Sequence, residues 1–108
     1  MLAGAKSPVR MEVRFADGEL SRLASDPSFT GHWDRTIVKA FRKRIQMICD
    51  APDERVFRSA KSVHFEKLGG NRSHQHSMKL NEQWRLVIEL EGQGQRKVVT
   101  VVGIEDYH

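Results

Sequence analysis

At 108 residues, with 39% hydrophobic content and a mean hydropathy of −0.54, the chain holds enough apolar material for one modest core and too little for two. No apolar run reaches the ~20 residues that span a bilayer, the N-terminus lacks the apolar stretch of a signal peptide, and the single Cys49 cannot build a disulfide framework, so the expected location is the cytoplasm. The net charge of +4 is concentrated: from Arg35 to Lys79 eleven Lys and Arg stand against four acids, a local +7 that suits a polyanion or an acidic partner and equally suits a solvated helix face with a basic loop.

Residues 1–10 are small and polar, without periodicity, and Pro8 discourages regular structure; they read as a disordered extension before a single domain at 11–108. Glu12-Val13-Arg14-Phe15 alternates polar and apolar as a half-buried strand does. Asp17 can cap a first helix carrying Leu20, Leu23 and Ala24 on one face, and Asp26-Pro27 ends it. Asp34 is placed to cap a second, longer helix running to about Cys49. Its apolar residues Ile37, Val38, Phe41, Ile45 and Ile48 recur at helical period, with Arg35, Lys39, Arg42 and Lys43 largely opposite. On that apolar stretch Cys49 reads as a buried structural thiol.

The stretch Arg55–Lys61 is basic and weakly patterned, which predicts a loop or a frayed turn. Ser62–Phe65 predicts a short strand, and Gly69-Gly70-Asn71 a turn. Three strands in meander follow: His76–Leu80, Trp84–Leu90 and Lys97–Ile104, the last two joined through a hairpin at Gly92–Gln95. The expected fold is α+β in the order β-α-α-β-β-β, with two N-terminal helices packed on one face of an antiparallel sheet and the other face partly open.

No metal-ligand signature is present: His74 and His76 form an isolated His-x-His without a cysteine pattern or HExxH, so neither metal nor cofactor is expected. No serine sits in a nucleophile elbow. What remains suits phosphodiester chemistry, which needs a base for the 2′-hydroxyl, an acid for the leaving 5′-oxygen and cations for the phosphorane. Asp106 or His108 can serve as base or acid, and Tyr107 can stack on a base or bond the phosphate. Arg85, on a strand expected beside the last one, can grip phosphate with its planar fork, and Arg72 and Lys79 can hold neighbouring phosphates. Arg85 can equally be a strand-face arginine paired with Glu89 or Glu105, and Trp84 reads as a core aromatic.

Three runs together carry a resemblance: Phe65-Glu66-Lys67-Leu68-Gly69-Gly70-Asn71-Arg72; Gln75-x-Ser77-x-Lys79-Leu80-Asn81-Glu82-Gln83-Trp84-Arg85-Leu86; and the terminal Ile104-Glu105-Asp106-Tyr107-His108. They resemble the HigB-type toxins of the RelE/ParE superfamily, and the likeness extends over most of 11–108. The resemblance implies a microbial-RNase-like fold and a cognate helix-turn-helix antitoxin. It also implies metal-independent, ribosome-dependent cleavage of mRNA that arrests growth. By the same resemblance Arg85, Asp106, Tyr107 and His108 are the catalytic candidates, and His64, Glu66, Lys67, Arg72 and Lys79 the RNA-binding ones. Two positions depart: some members have a histidine where this chain has Glu66 and a lysine where it has Gly69. The alternative is a ParE-like toxin that binds a protein target such as DNA gyrase and cuts no RNA, because one fold hosts both activities.

Overall fold

The structure is a computed structural model that describes residues 10–92 and 97–107. The extension expected at 1–10 falls outside these residues except for Arg10, as do most of the hairpin at 93–96 and the candidate His108. Elements follow in the order β1 (Glu12–Phe15), α1 (Gly18–Ser25), α2 (Arg35–Asp50), α3 (Arg55–Ser59), β2 (Glu66–Lys67), β3 (Gln75–Lys79), β4 (Trp84–Glu91) and β5 (Val98–Asp106). The α+β architecture matches the expectation, with one refinement. The sheet order is β1-β5-β4-β3-β2, and β1 lies parallel to β5 while every other pair is antiparallel. Three helices between β1 and the meander give the chain the long crossover that a parallel neighbour requires.

Both predicted helices form, the first with its expected cap and the second on its apolar stripe without one. Asp17 accepts the Leu20 N–H at 2.8 Å and caps α1. In α2, Val38, Phe41, Ile45 and Ile48 pack with Leu20 and Leu23 against the sheet residues Met78, Leu86, Ile88, Val99 and Val101. Burying each large aliphatic or aromatic side chain there stabilises the fold by about 1.5–3 kcal/mol. Asp34 occupies the N-cap position without capping, because its carboxylate takes the Thr36 hydroxyl and no backbone N–H. Cys49 is partly buried against the core, and burial, aided by Asp50, pushes its thiol pKa up.

Two local expectations are corrected. The segment after Pro52 is no loop: Asp53 accepts the Arg55 N–H at 2.9 Å to start α3, and Phe57 anchors that turn fully buried in the core. The strand expected at Ser62–Phe65 is a 3₁₀ turn, Lys61–Val63, closed by His64 in the left-handed region, and the extended backbone starts at Glu66. The basic face of α2 is also divided. Arg35, Lys39 and Lys43 are exposed. Arg42 instead donates to the carbonyls of Leu23, Asp26 and Phe29, and Arg44 to those of Lys79 and Ser62. These two cations tie the helix to its neighbours.

His76 is a polar ring on the core side of β3, between β2 and β4. It stacks parallel on Phe65 at 4.7 Å, and Arg58 lies over the Phe65 ring. Burial, then Arg58 and Lys67, press its pKa below the usual histidine value, with Glu54 opposing weakly. The folded state therefore binds this proton less readily than the unfolded chain does. Stability from His76 is full above about pH 6.5 and declines as pH falls through that value toward the folded-state pKa. Urea midpoints at pH 7.5 and 5.5 are expected to drop in the wild type and to drop less in His76→Phe; equal drops would exclude this histidine as the cause.

Candidate active site

Strand parity builds the site. Along β3 and β4 the residues facing away from the helices are Gln75, Ser77 and Lys79, then Arg85, Val87 and Glu89, in paired register. In β5 the register shifts: Ile88 faces Val101 but Val87 faces Gly103, leaving Val102 as an extra, bulged residue. Before the bulge, Val99 and Val101 point into the core. After it, Ile104 takes the core side and Glu105 comes opposite Arg85 on the open face. The same parity carries Tyr107 over Arg85, with the guanidinium carbon 4.7 Å from the ring centroid. Without that extra residue the acid and the phenol would alternate to the other side.

Arg85 is the centre of the arrangement. It is 5% exposed, on a strand otherwise apolar at this level. Its Nη2 donates to the Glu66 carboxylate at 2.6 Å, the His64 carbonyl at 2.6 Å and the Ser77 hydroxyl at 3.0 Å. Its Nε is buried and finds no hydrogen-bond partner among the described residues. The pairing with Glu89 or Glu105 that sequence allowed is replaced by Glu66, because β2 pairs with β3 so that Glu66 stands beside Ser77. Glu105 instead receives both ends of the Arg72 fork, at 3.0 and 2.7 Å. Arg72 Nε bonds Gln75, and Gln75 in turn donates to Glu89. Lys79 is held by Glu82 at 2.7 Å.

Two hollows open on either side of this centre. One, of about 270 Å³, is lined by Glu66, Lys67, Gly69, Arg72, Ser77, Arg85, Glu105, Asp106 and Tyr107, with Val87 in its lining. The other, of about 210 Å³, is lined by His64, Lys79, Asn81 and Glu82 and shares Glu66, Arg85 and Tyr107 with the first. Thus Glu66, Lys67, Arg72, Arg85, Asp106 and Tyr107 come together, with Lys79 and His64 across the shared residues. His64 reaches Arg85 by its carbonyl, not its ring. Gln83 steadies the end of β5, accepting the Tyr107 N–H at 2.6 Å and donating to Asp106 at 3.2 Å. Among the described residues four cations face four carboxylates across the two hollows, so a polyanion must exchange with internal partners to enter.

Two participants were given no site role from sequence: Ser77, a buried small polar residue quoted only within the resemblance, and Glu105, noted as a partner for Arg85. Ser77 lies mid-strand two residues from Gln75 and Lys79, which was the available signal. Among the described residues no group of three or more His, Cys, Asp or Glu is arranged to hold a metal ion, and no helix is long and apolar enough to cross a membrane.

Comparison with known proteins addresses the fold and the family. A search of curated proteins returns no match. Among solved structures, a YoeB/ParE toxin from Agrobacterium tumefaciens superposes with a TM-score of 0.58 at 15% identity, over 91% of this chain and all of that one. At that identity the likeness shows a shared fold. The model of one family, the RelE-like HigB toxins of type II toxin-antitoxin systems, matches residues 13–108. The chain belongs to the HigB-like toxin family, and membership implies an antitoxin partner.

Proposed function

We propose that the protein is an mRNA endonuclease toxin that acts on the translating ribosome in the cytoplasm and is neutralised by a helix-turn-helix antitoxin. The observation that carries this reading is the Arg85–Glu66 pair, a buried guanidinium fork 2.6 Å from a half-exposed carboxylate at the edge of an open hollow. RNA cleavage by the neighbouring 2′-hydroxyl needs those two groups side by side. A carboxylate takes the hydroxyl proton as the 2′-oxygen attacks phosphorus, and a fixed cation holds the equatorial oxygens as negative charge grows.

In this reading Glu66 is the base and Arg85 the phosphate clamp. Asp106 and His108 supply the proton that the leaving 5′-oxygen takes as the P–O5′ bond breaks. Tyr107, 56% exposed and stacked on Arg85, orients the RNA chain. Products are a cyclic phosphate and a 5′-hydroxyl, and every proton is carried by a side chain, so the step needs no metal. Lys67, Arg72 and Lys79 meet flanking phosphates once these displace Glu105 and Glu82 from the last two. The exposed Arg35, Lys39 and Lys43 of α2 supply the longer-range attraction to ribosomal RNA.

The test is induction without antitoxin, followed by primer extension on cellular messages. Defined cuts within translated regions, absent from untranslated copies of the same RNA, are expected. Growth arrest with DNA damage and intact messages would replace this reading with action on a protein target such as gyrase.

A further inference from the structure

We infer that His64 is a positioning residue for Arg85 and that it acts through its backbone, not its imidazole; the inference rests on the nuclease reading for its effect on rate. His64 is the one non-glycine residue among those described with a positive φ, at φ 48° and ψ 57°. A left-handed residue turns the chain sharply, and here both sides of the turn are pinned. Val63 is fully buried, Ser62 gives its carbonyl to Arg44 at 3.3 Å, and Phe65 is stacked on His76 and packed near Phe57. With its neighbours fixed, the conformation at His64 decides where its carbonyl points, and that carbonyl receives Arg85 Nη2 at 2.6 Å.

Nη2 has two protons and three acceptors: the His64 carbonyl, the Ser77 hydroxyl and Glu66. The carbonyl is part of a held backbone and Ser77 is buried, whereas Glu66 sits on an exposed two-residue edge strand. Glu66 is the acceptor that can leave when a phosphate arrives. The carbonyl and the hydroxyl are the seat that keeps the fork aimed while it does. The imidazole is exposed and takes no part in holding Arg85. Histidine is tolerated here because, with Asn and Asp, it enters the left-handed region more readily than other side chains, and a β-branched residue does not.

The test separates backbone from side chain. His64→Gly removes the ring and favours the left-handed turn; His64→Val keeps bulk and opposes it. Single-turnover cleavage on ribosomes is expected to fall about a hundredfold further in Val than in Gly, the scale of a misplacement of order 1 Å at a reacting group. The Val loss lies in the rate at saturation, whereas any loss in Gly, from the ring's own contact with RNA, lies in the half-saturating concentration. Independently of activity, the ¹⁵N-labelled guanidinium of Arg85 should show slowly exchanging Nη2 protons in wild type and Gly and lose them in Val. If Val does not fold, His64→Ala, less strained at positive φ, replaces it with a smaller loss of the same kind. Equal losses in Gly and Val would make the ring the functional group and overturn the inference, as would a Val variant that keeps both rate and slow exchange. A wild type that cuts no message while the guanidinium signal still follows the Gly–Val contrast would overturn the nuclease reading and leave the seat standing.

Discussion

Arg85→Ala is expected to reduce message cleavage by about two to three orders of magnitude, the usual consequence of removing one fixed stabiliser of developing charge, and to abolish growth arrest. The guanidinium is 5% exposed and preorganised by two protein acceptors besides Glu66, so it needs no rearrangement to meet charge as it forms. Arg85→Lys separates charge from geometry. A lysine keeps one positive charge but cannot span the His64 carbonyl and the Ser77 hydroxyl while also gripping two phosphate oxygens, so most of the loss should remain. Stability should fall as well, by about 1–3 kcal/mol, because the buried Ser77 hydroxyl loses its partner. A thermal melt measured beside primer extension distinguishes a lost site from a lost fold. Full growth arrest by a folded Arg85→Ala protein would remove this residue from the mechanism.

How far the sequence anticipates this arrangement depends on the range of the signal. The helices were legible because their evidence is local: the apolar spacing of α2 and the Asp17 cap act within a few residues. Placing Arg85 beside the last strand was legible for the same reason, since short links force a meander. The setting of Arg85 was not. It depends on the pairing of β2 with β3, which supplies Glu66, and on a one-residue bulge at Val102 that changes the parity of β5 and brings Glu105 and Tyr107 to the same face. No periodicity within that valine-rich run marks which residue is extra. It depends also on His64, whose left-handed turn comes from the burial of Val63 and the packing of Phe65. Helix α3 escaped detection because one buried aromatic, Phe57, outweighs a weakly patterned basic segment. Tertiary contacts decide all three, and they are written in residues far apart in the chain.

Glu66→Gln tests the other half of the pair and should lower kcat and KM together, weakening catalysis while tightening binding. Glutamine preserves the size of the side chain and an oxygen to accept from Arg85 Nη2, and leaves the seat formed by the His64 carbonyl and the Ser77 hydroxyl untouched. It cannot take a proton, and kcat is expected to fall by about 10²–10⁴-fold, the range for loss of a positioned general base. Binding should improve instead. The centre balances its cations with carboxylates, and removing one of them lets an incoming phosphate displace a neutral amide in place of an anion. A lower KM with a much lower kcat is therefore the expected signature, and a structural defect would raise KM or leave it unchanged. Glu66→His extends the test, since an imidazole restores a base at the position where some members of the family carry one. Part of kcat should return, and the acidic limb of the pH–rate profile should shift to higher pH because imidazole releases its proton at higher pH than a carboxyl group. If Glu66→Gln cuts message at the wild-type rate, the base lies elsewhere, and His108 at the chain terminus becomes the residue that must carry it.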